Sequence, residues 1–382
     1  VRIVHLLYDD IDNPWLGGGG ARRAHEVNRR LSDRHQITVV AGGYPAAPMQ
    51  RERDGVSYRY TPPADRYAAS RLRYLRHAHT IARELRPHLI VEDFSAYNPL
   101  FSPLWAGVPV VGLVQNLFGD HSGQKYGLLG RLAGLVERPA LRRFRQIIVL
   151  SRSFGLQLHH AINLRGRHAA VIASGIADVF FSQPQLVRAE VGDDYLLYFG
   201  RIDIYQKGLD TLLAALYLAR QQEPSLRLLI VGGGTVEQEG RLRDLIAGYG
   251  LGEAAQWRGR LTQAEIAALL HDHACRFTIV PSRYESWGMS AAEAGAAGQP
   301  VLAFAIPGLD EAAATHGLLL ANSDDEQERV AGLAGGLLQC WGDRGLRARL
   351  GLVGREWAGK YTWGRVATAQ ERFYLEAVGR RG

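Results

Sequence analysis

Only two cysteines, Cys275 and Cys340, occur in 382 residues. They allow neither a disulfide framework nor a zinc spacing, and their scarcity fits a reducing compartment. No apolar run approaches the ~20 residues that span a bilayer. The N-terminal VRIVHLLY reads as a strand and carries no signal-peptide cleavage pattern, so a cytoplasmic protein is expected. Low-complexity tracts and short-period repeats are missing as well. Lysine is almost absent: among 45 basic residues only Lys125, Lys207 and Lys360 are lysines, so the place of each carries information.

What is present is an ordinary globular composition, 47% hydrophobic and 22% charged, with 44 glycines. The length exceeds the ~250–300 residues at which a single core stops growing, so two domains are expected. Charge is unevenly spread. Residues 1–180 hold 24 Lys and Arg against 14 Asp and Glu, a net +10, whereas residues 181–382 hold 21 against 24, a net −3. The basic half suits an anionic partner, or simply a solvated face.

Apolar runs at Ile3–Tyr8, Ile37–Ala41, Leu89–Val91, Val108–Val114, Ile147–Leu150 and Ala169–Ile172 read as buried parallel strands. Helical patterns at Ala21–Leu31, Ala69–Leu85 and Leu128–Phe144 lie between them. The second half repeats the rhythm, with strands at Tyr195–Phe199, Leu226–Val231, Ala255–Trp257, Phe277–Val280, Val301–Phe304 and Leu318–Leu320. Its helices are expected near Leu209–Gln222, Glu239–Tyr249, Gln263–Leu270, Ser290–Ala297 and Glu326–Cys340. Two such series predict an α/β protein of two doubly wound, mainly parallel domains, with a hinge in Gly175–Asp194. Residues 1–175 and 176–361 form the domains, and a last helix follows in 362–382.

Three motifs carry chemistry. Gly17-Gly18-Gly19-Gly20 follows the first strand and opens a helix, where backbone N–H groups favour a phosphate. It lacks the spacing of a dinucleotide fingerprint, no P-loop follows, and the same glycines suit a purely structural turn. Next, a strand ends in Gly200-Arg201, and Lys207-Gly208 opens the following helix. Two cations at a strand's carboxyl end would neutralise a diphosphate and stabilise it as a leaving group. Third, PSRYESWGMSAAEAGAAGQPV (Pro281–Val301) sets Glu285 in a loop before Ser286-Trp287-Gly288-Met289 and Glu293 within the helix. N–H groups at Ser286–Met289 can donate to phosphate, Glu285 can accept from sugar hydroxyls, and Glu293 can bind a ribose diol. Paired carboxylates also serve acid–base hydrolysis, but the neighbouring glycines and cations suit a nucleotide better.

In this order the motifs resemble the retaining glycosyltransferases of family 4, with the GT-B fold of two Rossmann-like domains facing across a cleft. The likeness runs from the Gly loop before ARRAHEVNRRL through GRIDIYQKG, LLIVGGG, the E-x7-E of Glu285 and Glu293, GQPVLAF and PGLDE (Pro307–Glu311). The resemblance implies an N-terminal acceptor domain, a C-terminal nucleotide-sugar domain, and a final helix that crosses back to the first. It implies that Arg201 and Lys207 hold the donor diphosphate, Glu285 the sugar, and Glu293 the ribose, with Arg258-Gly259-Arg260 near the base. It also implies a UDP- or GDP-sugar as co-substrate, no resident cofactor, and no metal.

Two departures stand out. Where the family commonly carries a His after the strand that reads PVVGLV here, this chain has Gln115-Asn116, with His121 a few residues on. Gln can hydrogen-bond to a sugar but cannot carry a proton near neutral pH. Ser174 also replaces a usual Asn. The arginines at 66, 71, 73, 76, 83 and 86, and at 138, 142, 143 and 145, suit peripheral contact with the inner face of an anionic membrane, or an acidic acceptor. Nucleic acid is not expected, since no aromatic stacking pattern or reader module accompanies them. The acceptor is then a glycan, a lipid-linked or a small molecule. Two further readings are a catalytically weak nucleotide-sugar-binding partner subunit and a GT-B epimerase or phosphorylase.

Overall fold

The computed structural model describes residues 1–15, 17–117, 134–182 and 194–380, without the side chains of residues 344 and 347. It divides into two compact units, Val1–Gly175 with Trp363–Gly382, and Ile176–Thr362.

In the first unit the strands are β1 (Arg2–Leu6), β2 (Gln36–Ala41), β3 (Gln50–Arg53), β4 (Val56–Tyr60), β5 (Leu89–Phe94), β6 (Val110–Val114), β7 (Gln146–Val149) and β8 (His168–Val171). They form one sheet in the order β3-β4-β2-β1-β5-β6-β7-β8. Every pairing is parallel except the β3–β4 hairpin, whose Asp54-Gly55 turn has positive φ at both residues. Continuous apolar runs such as VVGLV in β6 are buried along their whole length, as a sheet covered on both faces requires. Helices α1 (Gly19–Leu31), α2 (Tyr67–Glu84), α3 (residues 134–141) and α4 (Arg152–Ile162) cover it. The core joins Val4, Leu6, Ile90, Phe94, Val114 and Phe144 to Tyr74 of α2 and Phe154 of α4. Of the helix expected over 128–144, residues 128–133 lie outside the described residues, as does His121.

The second unit holds β9 (Tyr195–Phe199), β10 (Leu228–Val231), β11 (Ala255–Trp257), β12 (Cys275–Val280), β13 (Val301–Phe304) and β14 (Gly317–Leu320). All are parallel, in the order β11-β10-β9-β12-β13-β14. Its helices are α5 (Leu209–Arg220), α6 (Val236–Gly248), α7 (Gln263–His271), α8 (Met289–Ala296), α9 (Leu309–Ala312), α10 (Glu326–Gly342) and α11 (Arg344–Ala358). Thr235 caps α6, Thr262 and Glu265 close a capping box on α7, and Asp325 caps α10. By contrast, α5, α8 and α9 start at Gly208, Gly288 and Gly308, which have no side chain to offer.

Ile176 donates its N–H to the Tyr361 carbonyl (2.8 Å), holding the end of the second unit. The chain then enters α12 (Trp363–Gly379), which packs on α1 in the first unit. Each sheet reverses its strand order once, between β1 and β5 in the first and between β9 and β12 in the second. The carboxyl ends at such a reversal leave a crevice where doubly wound folds bind ligands. No helix among the described residues is long and apolar enough to cross a membrane.

Candidate functional site

The loops after β9 and β12 meet at the reversal of the second sheet. The Arg283 N–H donates to the Gln206 carbonyl (3.0 Å), and its guanidinium to the Tyr205 carbonyl (2.8 Å) and the Asp210 carboxylate (2.7 Å). Gly208, at φ 63°, lies so close that a Cβ there would sit 2.1 Å from the Pro281 carbonyl oxygen. Only glycine fits that approach. This stitching brings Lys207 to Glu285, and the ammonium donates to Oε1 of the carboxylate. Ser282, fully buried, donates its hydroxyl to the same oxygen (2.9 Å).

Around this pair the other candidates fall as follows. Arg201, about half exposed, donates from Nη2 to Gln206 Oε1 (2.8 Å), and its carbonyl accepts from the Tyr198 hydroxyl (2.8 Å). Burial, together with the Glu285 charge, pushes the Tyr198 phenol upward, so it stays protonated and donates. Gly200 and Ser286 lie in the same two loops, and Gly288 begins α8 with no side-chain cap on the N–H groups that Met289 opens. Such a helix start attracts anions. The Trp287 indole is buried against Trp357 and Tyr361, so only its backbone faces the turn. Glu293, the fifth residue of α8, is buried. Arg258 and Gly259 follow β11 at the same edge of the sheet, and Gly232 donates its N–H to the Gly259 carbonyl (2.7 Å). Arg258 is exposed.

At the reversal of the first sheet the glycine loop is already occupied. The Asp9 carboxylate accepts the N–H groups of Gly17 (3.0 Å) and Gly18 (3.2 Å), so Gly18 is not held open for a phosphate. Burial raises the Asp9 carboxyl to about 6. Gly19 and Gly20 open the first turn of α1, and Gly20 faces the Gln115 amide. Gln115, half-buried, donates from Nε2 to Asp93 Oδ2 (2.6 Å), and Asn116 is exposed. Burial pushes the Asp93 carboxyl up to about 7.

The basic residues of α2 do not form one surface. Arg73 and Arg76 are exposed, Arg83 reaches the Trp105 carbonyl (2.9 Å), and Arg71 turns inward among aromatic rings. Ser282, Asp9 and Asp93 escaped the sequence reading. The one signal for them was position, each at or just beyond the end of an apolar strand. Among the described residues, no group of three or more His, Cys, Asp or Glu could hold a metal ion.

Family models match both halves of the chain. The one described as glycosyl transferases group 1 covers residues 182–356, and that of glycosyltransferase family 4 covers residues 17–178. A glycogen synthase of Mycobacterium tuberculosis is 32% identical over 77% of this chain and 70% of its own. A D-inositol 3-phosphate glycosyltransferase of Nocardiopsis dassonvillei is 30% identical over 96% and 92%. In structure, a sucrose-phosphate synthase from Thermosynechococcus elongatus superposes with a TM-score of 0.81 at 20% identity, covering 99% of both chains. At that identity it speaks for the fold.

Proposed function

Because the chain belongs to the group 1 glycosyltransferases of family 4, enzymes of the GT-B fold that use a nucleotide-sugar donor, we propose that it is a retaining, metal-independent transferase. Its donor is a UDP- or GDP-sugar, and its acceptor a hydroxyl of a glycan, a lipid-linked or a small molecule. The observation that carries this reading is the meeting of Lys207 with Glu285 at the β9–β12 reversal, beside the uncapped start of α8.

In this reading Arg201, Lys207 and the N–H groups of Ser286–Met289 hold the diphosphate. Glu285 accepts from the sugar hydroxyls, Glu293 binds the ribose, and Arg258-Gly259 borders the base. The bond from the anomeric carbon to the phosphate oxygen breaks, its electron pair leaving with the phosphate. The acceptor oxygen bonds to the same face, and its proton passes to the departing phosphate. Cations and helix N–H groups stabilise the charge that grows on that leaving group, and the rest of the work is positioning. The second unit takes the donor and the first takes the acceptor, with Gln115 and Asn116 on the acceptor or donor-sugar side.

The exposed arginines of α2 and those at 138, 142, 143 and 145 support peripheral contact with an anionic membrane at its cytoplasmic face. A thermal-shift panel of UDP, GDP, ADP and dTDP with their sugars tests the donor side, since a ligand of the folded state stabilises by mass action. Stabilisation by a uridine or guanosine pair, lost in Lys207→Ala, is expected. No response to any nucleotide overturns the reading.

A further inference from the structure

Arg283 lies between Ser282 and Glu285 in the loop after β12, yet its side chain turns to the starts of two helices. Nη1 donates to Asp210 Oδ1 (2.7 Å) and Nη2 to Asp210 Oδ2 (3.1 Å), the two-pronged bond that suits a guanidinium. Nη2 also donates to Thr211 Oγ1 (3.0 Å) and stands 3.0 Å from Glu326 Oε2. Asp210 and Thr211 belong to the first turn of α5, and Glu326 opens α10. The Thr211 hydroxyl donates to Glu326, which ties the two helix starts together. The guanidinium carbon stands over the Tyr205 ring, 4.9 Å from its centroid.

Backbone contacts carry this anchorage to the Lys207–Glu285 pair. Nη1 reaches the Tyr205 carbonyl (2.8 Å) and the Arg283 N–H the Gln206 carbonyl (3.0 Å), the two residues before Lys207. Glu285 follows Arg283 by two positions. Arg283 therefore grips the β9 loop from within the β12 loop and fastens both to α5 and α10. Charge makes the junction depend on it. Arg329, over the Phe304 ring, stands with Nε 3.8 Å from Glu326 Oε2, so two guanidiniums offset two carboxylates. Both acids lie within 3.1 Å of the Arg283 Nη2, so removing that guanidinium leaves two like charges close together.

We propose that Arg283 is a positioning residue for donor recognition, which with Asp210 and Glu326 fixes how far Lys207 stands from Glu285. It matches that pair to a diphosphate and its sugar without touching either. The role rests on the transferase reading above and extends it to α10. Glu326 has no place at the donor, yet it acts on the sugar through Arg283 and then Glu285.

Calorimetry of the full chain with UDP and UDP-glucose, or GDP and GDP-mannose, tests it through the ratio of the two dissociation constants. Glu285→Gln should shift that ratio about tenfold against the sugar. Arg283→Gln should shift it the same way by about threefold or more, and the double variant no further than Glu285→Gln alone. Glu326→Gln, an exposed substitution that leaves Arg283 in place, should give a smaller shift in the same direction. Asp324→Asn removes an exposed charge just before α10 and should give none. A reading without nucleotide comes from the scarcity of lysine, since NMR of isotopically labelled lysine resolves Lys207, assigned by Lys207→Arg. Its ammonium resonance should move in Arg283→Gln towards its position in Glu285→Gln. The proposal is overturned if neither resonance nor ratio moves in a folded Arg283→Gln chain, if the effects of Arg283→Gln and Glu285→Gln add, or if Asp324→Asn matches Glu326→Gln. A wild-type chain that binds none of these nucleotides counts against the transferase reading instead, and the Lys207 resonance then decides on the clamp alone.

Discussion

Lys207 Nζ donates to Glu285 Oε1, the oxygen that also accepts from Ser282, so the cation expected to meet a diphosphate is held by the carboxylate expected to meet a sugar. Each neutralises the other while no donor is bound, and a donor must supply both with new partners at once. Replacing either leaves an unmatched charge in a largely buried site. Lys207→Ala and Glu285→Gln should each lower kcat/KM by about 10²–10³-fold, with circular dichroism still showing a folded chain. Near-normal turnover in both variants would remove the pair from the mechanism.

The first unit contains a second coupled pair of opposite sense. His5 is fully buried, its Nδ1 receives the Asn28 amide (3.0 Å), and Nε2 stands 3.9 Å from Asp93 Oδ2. Burial lowers His5 to about 4, below its ordinary 6.5, so native His5 stays neutral and stability is lost as pH falls below about 6.5. Burial raises Asp93 to about 7, so the native state keeps a proton that the unfolded chain releases, and stability is lost as pH rises from about 4 towards 7. At about 1.4 kcal/mol per pKa unit the two opposing contributions are each a few kcal/mol and largely cancel between pH 4 and 6.5. The melting temperature of Asp93→Asn relative to wild type should therefore climb with pH across that window. That of His5→Gln should be highest at acid pH and decline. A constant offset in either variant would contradict the assignment.

The sheets were legible because a strand covered on both faces carries its signal alone. β9, β11 and β13 match the apolar runs to the residue. The β3–β4 hairpin was not seen: β3 is the exposed, charged edge QRER, and the cues were its Asp54-Gly55 turn and the alternation of VSYRY in β4. Helix α4 was missed although Ser151 caps it by accepting the Phe154 N–H. In α11, Gly345, Gly351 and Gly354 blur the helical pattern. At the site, glycines and cations at strand ends marked the loops, but what those loops bind is a matter of their path. No spacing reveals that Asp9 takes the Gly17 and Gly18 N–H groups, or that Ser282 seats Glu285. Arg71 was read as one of a row of surface arginines. Its separations of four from Tyr67 and three from Tyr74 were the available hint that it shares their face.

Gly208 tests whether the site depends on the closeness of its two loops. Alanine there would have to keep φ near 63° and place a methyl 2.1 Å from the Pro281 oxygen, so the β9 and β12 loops must part. Gly208→Ala should weaken UDP binding by about tenfold or more, measured by calorimetry. Gly240→Ala, in open space on α6, should bind normally. Equal affinities in the two variants would show that the approach is incidental.

The C-terminal helix should be as sensitive at its entry. Trp363, the first residue of α12, is buried, and a Cβ on Gly175 would fall 2.4 Å from its Cδ2. Further along, Tyr374 lies near the buried Arg23 of α1, whose Nη2 donates to the Ile172 carbonyl (3.0 Å). Displacing Trp363 thus loosens a face that includes a charge with no route to water. Gly175→Ala should cost about 1–3 kcal/mol through overpacking and speed proteolytic release of α12. Adding Trp363→Phe, which removes part of the indole that the methyl would strike but leaves the Trp363 Cα at 2.8 Å, should restore part of the loss. The test is the double-mutant cycle in melting temperature. Additive effects would mean that the two residues do not meet, whereas a double variant more stable than Gly175→Ala alone confirms their contact.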